Sequence, residues 1–263
     1  MLISTIDLIS RSAKLYRDNL KTLATYAGIL LIPALLLMFA GYTLGILIFL
    51  TQNFLLGLGL YFILVILLSL VGFIISMSLI RVIASLYQKQ SAPNLVINLK
   101  QSLSLLWPAV LVSLISGLAI FGGFLLLVIP GIIFAIWFIF SIHALLLDNK
   151  LGTDALRFSK QLVAGRWGSV FWRLAAVSIL LAILIGILQW IIKMIFGIDN
   201  AQIQTQLTLK TGLYGLFTII LSTFLSPLTT AIPTILYLEL KNTPLDIRIP
   251  EKTIETEPPT EEK

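Results

Sequence analysis

Six long apolar stretches alternate with short polar segments along the chain. Five of them lie at about 25–50, 55–86, 104–122, 169–195 and 212–238, and the fourth along the chain ends near Leu147. A helix of about 20 apolar residues is long enough to cross the roughly 30 Å of hydrocarbon in a bilayer. A water-soluble core does not require runs of this length. The pattern therefore predicts an all-α integral membrane protein with a bundle of six transmembrane helices.

Short polar or glycine-containing segments predict where the chain turns between spans. The segment 51–53 (Thr-Gln-Asn) predicts a tight turn between the first and second spans. Two pairs, Gly122-Gly123 and Pro130-Gly131, are both suited to the turn between the third and fourth spans. The position of that turn is therefore left open by the sequence.

Three amphipathic segments precede the first, third and fifth spans. They cover residues 2–21, the stretch that follows Asn94, and about 153–166. Their apolar residues recur at steps of three and four, which places them on one face of a helix. In the first segment this face consists of Leu2, Ile6, Ile9, Ala13, Tyr16 and Leu20, and in the third of Leu151, Ala155, Phe158 and Leu162. Such helices are typical of the membrane interface.

The distribution of Lys and Arg predicts the orientation. Sixteen of the 18 basic residues fall in four groups that the six-span pattern places on one side, namely the N-terminal segment, 81–100, 150–173 and the tail from Lys241. Lys193 and Lys210 fall on the other side. Because cytoplasmic loops collect basic residues, we expect a multi-pass protein of the cell (cytoplasmic) membrane with both termini in the cytoplasm.

The order of one amphipathic helix and two spans occurs three times, near 2–88, 92–150 and 152–240. A shift of about 60 residues aligns Trp107 with Trp167, and a shift of about 147 aligns Ser12 with Ser159. Either three duplicated units of parallel topology or chance similarity between amphipathic segments explains these alignments.

Composition supports a membrane domain over residues 1–240 and a different kind of segment after it. The chain is 58% hydrophobic and only 11% charged, against about 25% charged in soluble domains. Residues 241–263 are rich in Pro, Glu, Thr and Lys. A segment with so few apolar groups is expected to form a disordered cytoplasmic tail.

Few residues suggest catalytic chemistry. The chain has no cysteine, and no motif for a phosphate, cofactor or metal is present. Acidic residues, which usually mark ion pathways at depth, are absent from the middle of the spans. The sole histidine, His143, is a candidate proton relay. We favour a structural role for it, because no acid shares its helix face and Asp148 lies off that face.

A basic group around the third amphipathic helix is the candidate binding site. It consists of Lys150, Arg157, Lys160, Arg166 and Arg173. Each such charge attracts anionic lipid headgroups with about 1 kcal/mol. The alternative is that these charges only fix the topology. The net charge of +6 does not indicate nucleic-acid binding, because the topology already accounts for its distribution.

One part of the chain resembles a known family. The stretches 127–135 (LVIPGIIFA), 144–148 (ALLLD) and 155–167 (ALRFSKQLVAGRW) resemble a broad family of bacterial and archaeal membrane proteins. That family is similar to the membrane domain attached to some glycerophosphodiester phosphodiesterases. The resemblance implies architecture more than activity. The 23 residues after position 240 are too few for a phosphodiesterase domain, so no catalytic residue is implied.

These observations predict a non-catalytic integral membrane protein that acts as a lipid-interacting or scaffold module, with membrane lipids as its partners. The alternative is a transporter of a small solute or lipid, built around proline-broken helices. A continuous polar pathway through the bundle would favour transport. An intramembrane enzyme ranks third, because the spans hold almost no acids, histidines or cysteines. No cofactor is expected.

Overall fold

The computed structural model describes residues 2–198 and 209–243, except for the side chains of Gly41 and Tyr42. Regular structure in these ranges is entirely helical. The helices are α1 (Thr5–Asp18), α2 (Leu20–Thr51), α3 (Phe54–Tyr87), α4 (Leu95–Ser104), α5 (Leu106–Leu126), α6 (Val128–Phe138), α7 (Ser141–Asp148), α8 (Gly152–Val163), α9 (Trp167–Phe196) and α10 (Leu209–Asn242).

Six helical stretches in the described ranges are long and apolar enough to cross a membrane. They correspond to α2, α3, α5, the pair α6–α7, α9 and α10. The predicted all-α bundle with six spans is confirmed. The fourth span, Val128–Asp148, contains a helix break at Ile139–Phe140. Helix α10 continues through Asn242, beyond the predicted domain boundary at 240, and the predicted tail from 244 onward lies outside the described residues.

The short helices α1, α4 and α8 each precede a pair of spans, as the pattern predicts. Each also buries one serine completely, namely Ser12, Ser102 or Ser159. The elements therefore follow the same order three times. Whether the three units arose by duplication stays a prediction.

The structure places the third-to-fourth turn at Leu127, between the two candidate pairs. Leu127 is extended, with φ −167° and ψ 157°. The glycines instead let the two helices approach, since a Cβ on Gly123 would lie 3.0 Å from the Gly131 Cα. Pro130 lies in the first turn of α6, where a missing N–H leaves no helical bond unmade. Neither predicted pair is therefore the turn itself.

The turn between the first two spans is where the sequence predicts it. Gln52 adopts a left-handed conformation with φ 51° and ends α2. The Asn53 side chain then accepts a hydrogen bond from the Leu56 N–H at 3.1 Å and caps α3. The left-handed backbone at Gln52 and the cap by Asn53 together produce the sharp reversal of the chain.

The faces of the short helices differ in part from the predicted ones. In α1 the side that packs on the protein contains Leu8, Ser12 and Leu15, while Ile6 of the predicted face is 79% exposed. In α8 the buried side consists of Ala155, Leu156, Ser159 and Val163, so of the predicted face only Ala155 is fully buried. The periodicity identified the helices, but it did not identify which of their residues pack against the protein.

Buried residues concentrate at one end of the bundle. We call this the basic end: α1, α4 and α8, together with the adjoining helix termini of α3, α7, α9 and α10. Its core includes Leu8, Val82, Phe140, Leu145, Ile235 and Tyr237, each at most 2% exposed. The opposite end, the hairpin end, consists of the turns at Gln52–Asn53, Leu127 and Gly197–Ile198. Phe49 and Leu125 there are 73% and 72% exposed.

Candidate site at the basic end

Helix α8 is fixed to the break in the fourth span by one buried serine. The Ser159 hydroxyl donates to the Trp137 carbonyl at 2.6 Å and accepts from the Phe140 N–H at 3.1 Å. Both main-chain groups lie next to the break between α6 and α7, where helical partners are missing. A serine in the middle of α8 therefore satisfies the break and fixes how α8 is rotated.

With that side of α8 attached, Arg157 and Lys160 lie on its exposed surface and Lys150 lies just before its first turn. We call these three cations the α8 surface. The Lys160 ammonium lies 4.2 Å from the centre of the Trp137 ring, and Lys150 lies 5.6 Å from the Phe158 ring. Arg157 forms only a long ion pair with Asp154, at 3.8 Å, and its side chain is 77% exposed. These contacts position the charged groups themselves, and all three residues are exposed.

The other two predicted cations bind main-chain carbonyls. Arg166 donates to the carbonyls of Leu162, Leu240 and Thr243 at 2.9, 2.8 and 2.5 Å. Burial lowers the pKa of its guanidinium. The last carbonyls of α10 have no helical partner and carry partial negative charge, which a cation stabilises. Arg166 thus joins the start of α9 to the end of α10.

Arg173 connects the fifth span to the N-terminal segment. Its Nε donates to the Ile3 carbonyl at 2.6 Å, and a terminal nitrogen donates to the Ser169 carbonyl at 2.8 Å. The five predicted residues are therefore not one surface. Arg157 and Lys160 on α8 and Lys150 just before it are exposed, whereas Arg166 and Arg173 hold helices together.

The end of α10 is the centre of a polar cluster that the sequence did not reveal. The Asp148 carboxylate accepts from the Tyr237 hydroxyl and pairs with Lys241. Glu239 accepts from the Tyr87 hydroxyl at 2.5 Å and pairs with Arg11 at 3.0 Å. These contacts join α1, α3, α7 and α10 at one level of the bundle.

Arg11 contacts both Tyr87 and Glu239. Its guanidinium donates to the Tyr87 hydroxyl at 2.8 Å as well as to the carboxylate. The hydrogen bond to Tyr87 is the largest cause that raises the pKa of Arg11. The signal available in the sequence was the rarity of acids: Asp148 and Glu239 each stand at the end of a span, and each has a cation partner.

His143 lies inside the bundle. Its ring packs against Phe140 and Tyr237 at centroid distances of 5.9 and 5.6 Å, and its Nε2 lies 3.3 Å from the Thr234 hydroxyl. That hydroxyl donates its single hydrogen to the Thr230 carbonyl, so it accepts from Nε2–H. In the described ranges no carboxylate contacts the ring, which supports the structural role favoured above.

A cavity of about 400 Å³ lies beside His143, between the fourth, fifth and sixth spans. Ser178 and Thr229 are the other polar residues of its mainly apolar lining. The lining comes from 139–143, 174–185 and 229–233, so it stops short of the hairpin end. The described residues also contain no group of three His, Asp or Glu side chains that could hold a metal ion.

Comparison with known proteins adds no relative. No family model, curated protein or solved structure matches this chain. The family resemblance carried by 127–167 therefore stays a prediction, and the functional argument depends on the residues themselves.

Proposed function

We propose that this integral membrane protein is a non-catalytic, lipid-interacting module of the cell membrane, and that α8 is its contact surface for anionic lipid. The observation that carries the proposal is the rotation of α8. Ser159 fixes one side of the helix to the fourth span. Arg157 and Lys160 then remain exposed on the other side. Interfacial helices with basic residues bind anionic headgroups.

The proposed orientation places the basic end at the cytoplasmic face, with both termini on that side. The excess of Lys and Arg at this end supports it. The cytoplasmic leaflet carries the anionic lipids that polybasic segments attract. This orientation therefore places the proposed headgroup site on α8 beside the leaflet that contains the anionic lipids.

The contacts of the side chains that could act in catalysis support the proposal that the protein is non-catalytic. His143 is engaged by Thr234 and two aromatic rings. Asp148 and Glu239 are engaged by cations and tyrosine hydroxyls. Each of these side chains has a partner on another helix, although the buried Nδ1 of His143 has none among the described residues.

Transport of a small solute or lipid is the second candidate, and the cavity beside His143 is the observation that favours it. Its lining contains the His143 ring with Ser178 and Thr229. Transport also needs a route across the bundle, and this lining covers only one part of it. We therefore rank transport below the lipid module.

The test compares two triple variants by native mass spectrometry after incubation with vesicles of phosphatidylglycerol and phosphatidylcholine. Lys150→Gln, Arg157→Gln and Lys160→Gln together should reduce retained phosphatidylglycerol about tenfold or more, because each cation contributes about 1 kcal/mol. Arg166 is left unchanged because it holds α10.

The matched control removes three exposed charges of the N-terminal segment, Lys14→Gln, Arg17→Gln and Lys21→Gln. It should retain phosphatidylglycerol nearly as the parent does. Equal losses in both variants would show that only the overall charge matters. Unchanged retention in the α8 variant, with an unchanged melting temperature, would refute the proposal.

A further inference from the structure

A second groove at the basic end has a composition different from the α8 surface. It lies between α2, α3 and α4 and has a volume of about 420 Å³, within the range of about 300–1,000 Å³ typical of small-molecule sites. Its apolar lining includes Ile29, Val71, Ile75, Val96, Leu99 and Leu103. Lys100 is the only charged residue in the lining.

Helix α4 is held over this groove by a buried asparagine. Asn98 is 1% exposed, and its amide donates to the Tyr26 hydroxyl and the Ser78 carbonyl, both at 2.9 Å. A buried amide that lost these partners would carry an uncompensated desolvation cost. Asn94 caps the start of the helix. The groove is therefore formed by a helix with a fixed position across the first two spans.

The groove lies at the depth of lipid acyl chains. Helix α3 has 34 residues and is about 51 Å long, against about 30 Å of hydrocarbon. The one charged residue of this helix is Arg81, near its C-terminal end, so we assign the excess length to the last turns, at the basic end. Val71 and Ile75 precede these turns and lie within the span, while α4 runs beside them at the interface. At this depth the apolar groove opens toward the hydrocarbon of the bilayer and not toward water.

Lys100 lies where this groove meets the interface. Some cations of the basic end are already paired with a carboxylate. Arg11, Arg157 and Lys241 have carboxylate partners. Lys100 is exposed, and within 2–198 and 209–243 no acidic side chain pairs with it. This ammonium and the apolar groove beside it match the two parts of a phospholipid, its negatively charged phosphodiester and its acyl chain.

We infer that this groove binds a single phospholipid, with an acyl chain against α2, α3 and α4 and its phosphate at the Lys100 ammonium. Moving a chain from bulk lipid into the groove gains little hydrophobic free energy, because both surroundings are apolar. The preference therefore comes from the phosphate. Loss of one cation–phosphate contact should reduce binding about fivefold. The inference requires only that the chain spans a membrane.

The experiment measures lipids retained by the full-length purified protein in native mass spectrometry. The probes are phosphatidylglycerol and diacylglycerol with identical acyl chains. Because the α8 surface is itself proposed to bind phosphatidylglycerol, the comparison is made in the α8 triple variant, which should retain phosphatidylglycerol about fivefold better than diacylglycerol. Adding Lys100→Gln to that variant should abolish this preference, and adding Leu103→Trp, which fills the groove, should reduce retention of both lipids. Adding Lys89→Gln, an exposed lysine of the same end outside the groove, should leave the preference unchanged.

Two results would overturn the inference. One is an equal effect of Lys100→Gln and Lys89→Gln in the α8 triple variant, and the other is equal retention of the two lipids by that variant. The α8 triple variant keeps this groove intact, so it should retain the phosphate preference here. Failure of α8 as a lipid surface and failure of this groove are therefore separate outcomes, and melting temperatures identify any variant that does not fold.

Discussion

The two ends of the bundle both carry large apolar side chains but are packed very differently. At the basic end, Phe140 and Leu145 have no exposed surface, whereas Phe49 and Leu55 near the hairpin end are 73% and 76% exposed. The difference cannot come from hydrophobicity alone. Lipid chains are about as apolar as leucine, so an apolar side chain gains little by exchanging lipid for protein.

What distinguishes the basic end is polar contact between helices. Asn98 joins α4 to α2 and α3, and Ser159 joins α8 to the broken fourth span. Arg166 joins α9 to α10. Such contacts in apolar surroundings have specific partners. We infer that polar side chains determine which helices pack closely, and that apolar side chains then fill the space between them.

The largest expected effect compares the same substitution at the two ends. Phe140→Ala removes a fully buried ring that contacts His143 and Tyr237. It should lower the free energy of unfolding by about 3–5 kcal/mol. Phe49→Ala should change it by less than about 0.5 kcal/mol. Thermal unfolding in one detergent, followed by tryptophan fluorescence, measures both. Equal losses would mean that the two ends are packed alike.

A second comparison concerns a tight helix contact of the hairpin end. A Cβ on Gly123 would lie 3.0 Å from the Gly131 Cα, whereas a Cβ on Gly122 would contact nothing within 4 Å. Gly123→Ala should therefore destabilise the protein by about 1–3 kcal/mol. Gly122→Ala should be neutral or stabilising by up to about 1 kcal/mol, because alanine favours the helix.

The same unfolding measurement tests this pair of neighbouring glycines. If both alanine variants were neutral, α5 and α6 would not be held at this distance in the protein. If both were destabilising, helix contacts outside the described residues or with a second molecule would have to exist on the Gly122 side.

The sequence predicted the elements well because length and periodicity determine them locally. The six spans, the three short helices and the turn at Gln52 all follow from patterns within about 30 residues. The third-to-fourth turn was not determined, because glycine is used both in turns and in close helix contacts. Only the geometry separates these uses at Gly123 and Gly131.

The site was less predictable, because its contacts are distant in sequence. Arg166 and Arg173 belong to one basic stretch by position, yet their partners, Leu240 and Ile3, lie 74 and 170 residues away. From the sequence, Asp148 was judged only as a partner of His143, which lies on a different face of the same helix. Its partners are Tyr237 and Lys241 of α10. No local sequence pattern indicates which helix ends lie next to each other in the folded bundle.

The smallest expected effect separates ion pairs within the basic end. Asp148 is 14% exposed in its pair with Lys241, whereas Asp154 is 69% exposed in its pair with Arg157. Exposed pairs contribute about 0–1 kcal/mol and are screened by salt. We expect a coupling of about 1 kcal/mol for the first pair and no measurable coupling for the second.

A double-mutant cycle measures each coupling. The first uses Asp148→Asn and Lys241→Gln, since asparagine can still accept from Tyr237, and the second uses Asp154→Asn and Arg157→Gln. The Asp148 coupling should persist in about 1 M salt, because the carboxylate is largely shielded from water. Equal couplings, or a loss of the first in salt, would mean that the charges of the α10 cluster contribute no more than surface charges. The packing of the basic end would then depend on its neutral contacts, those of Asn98 and Ser159.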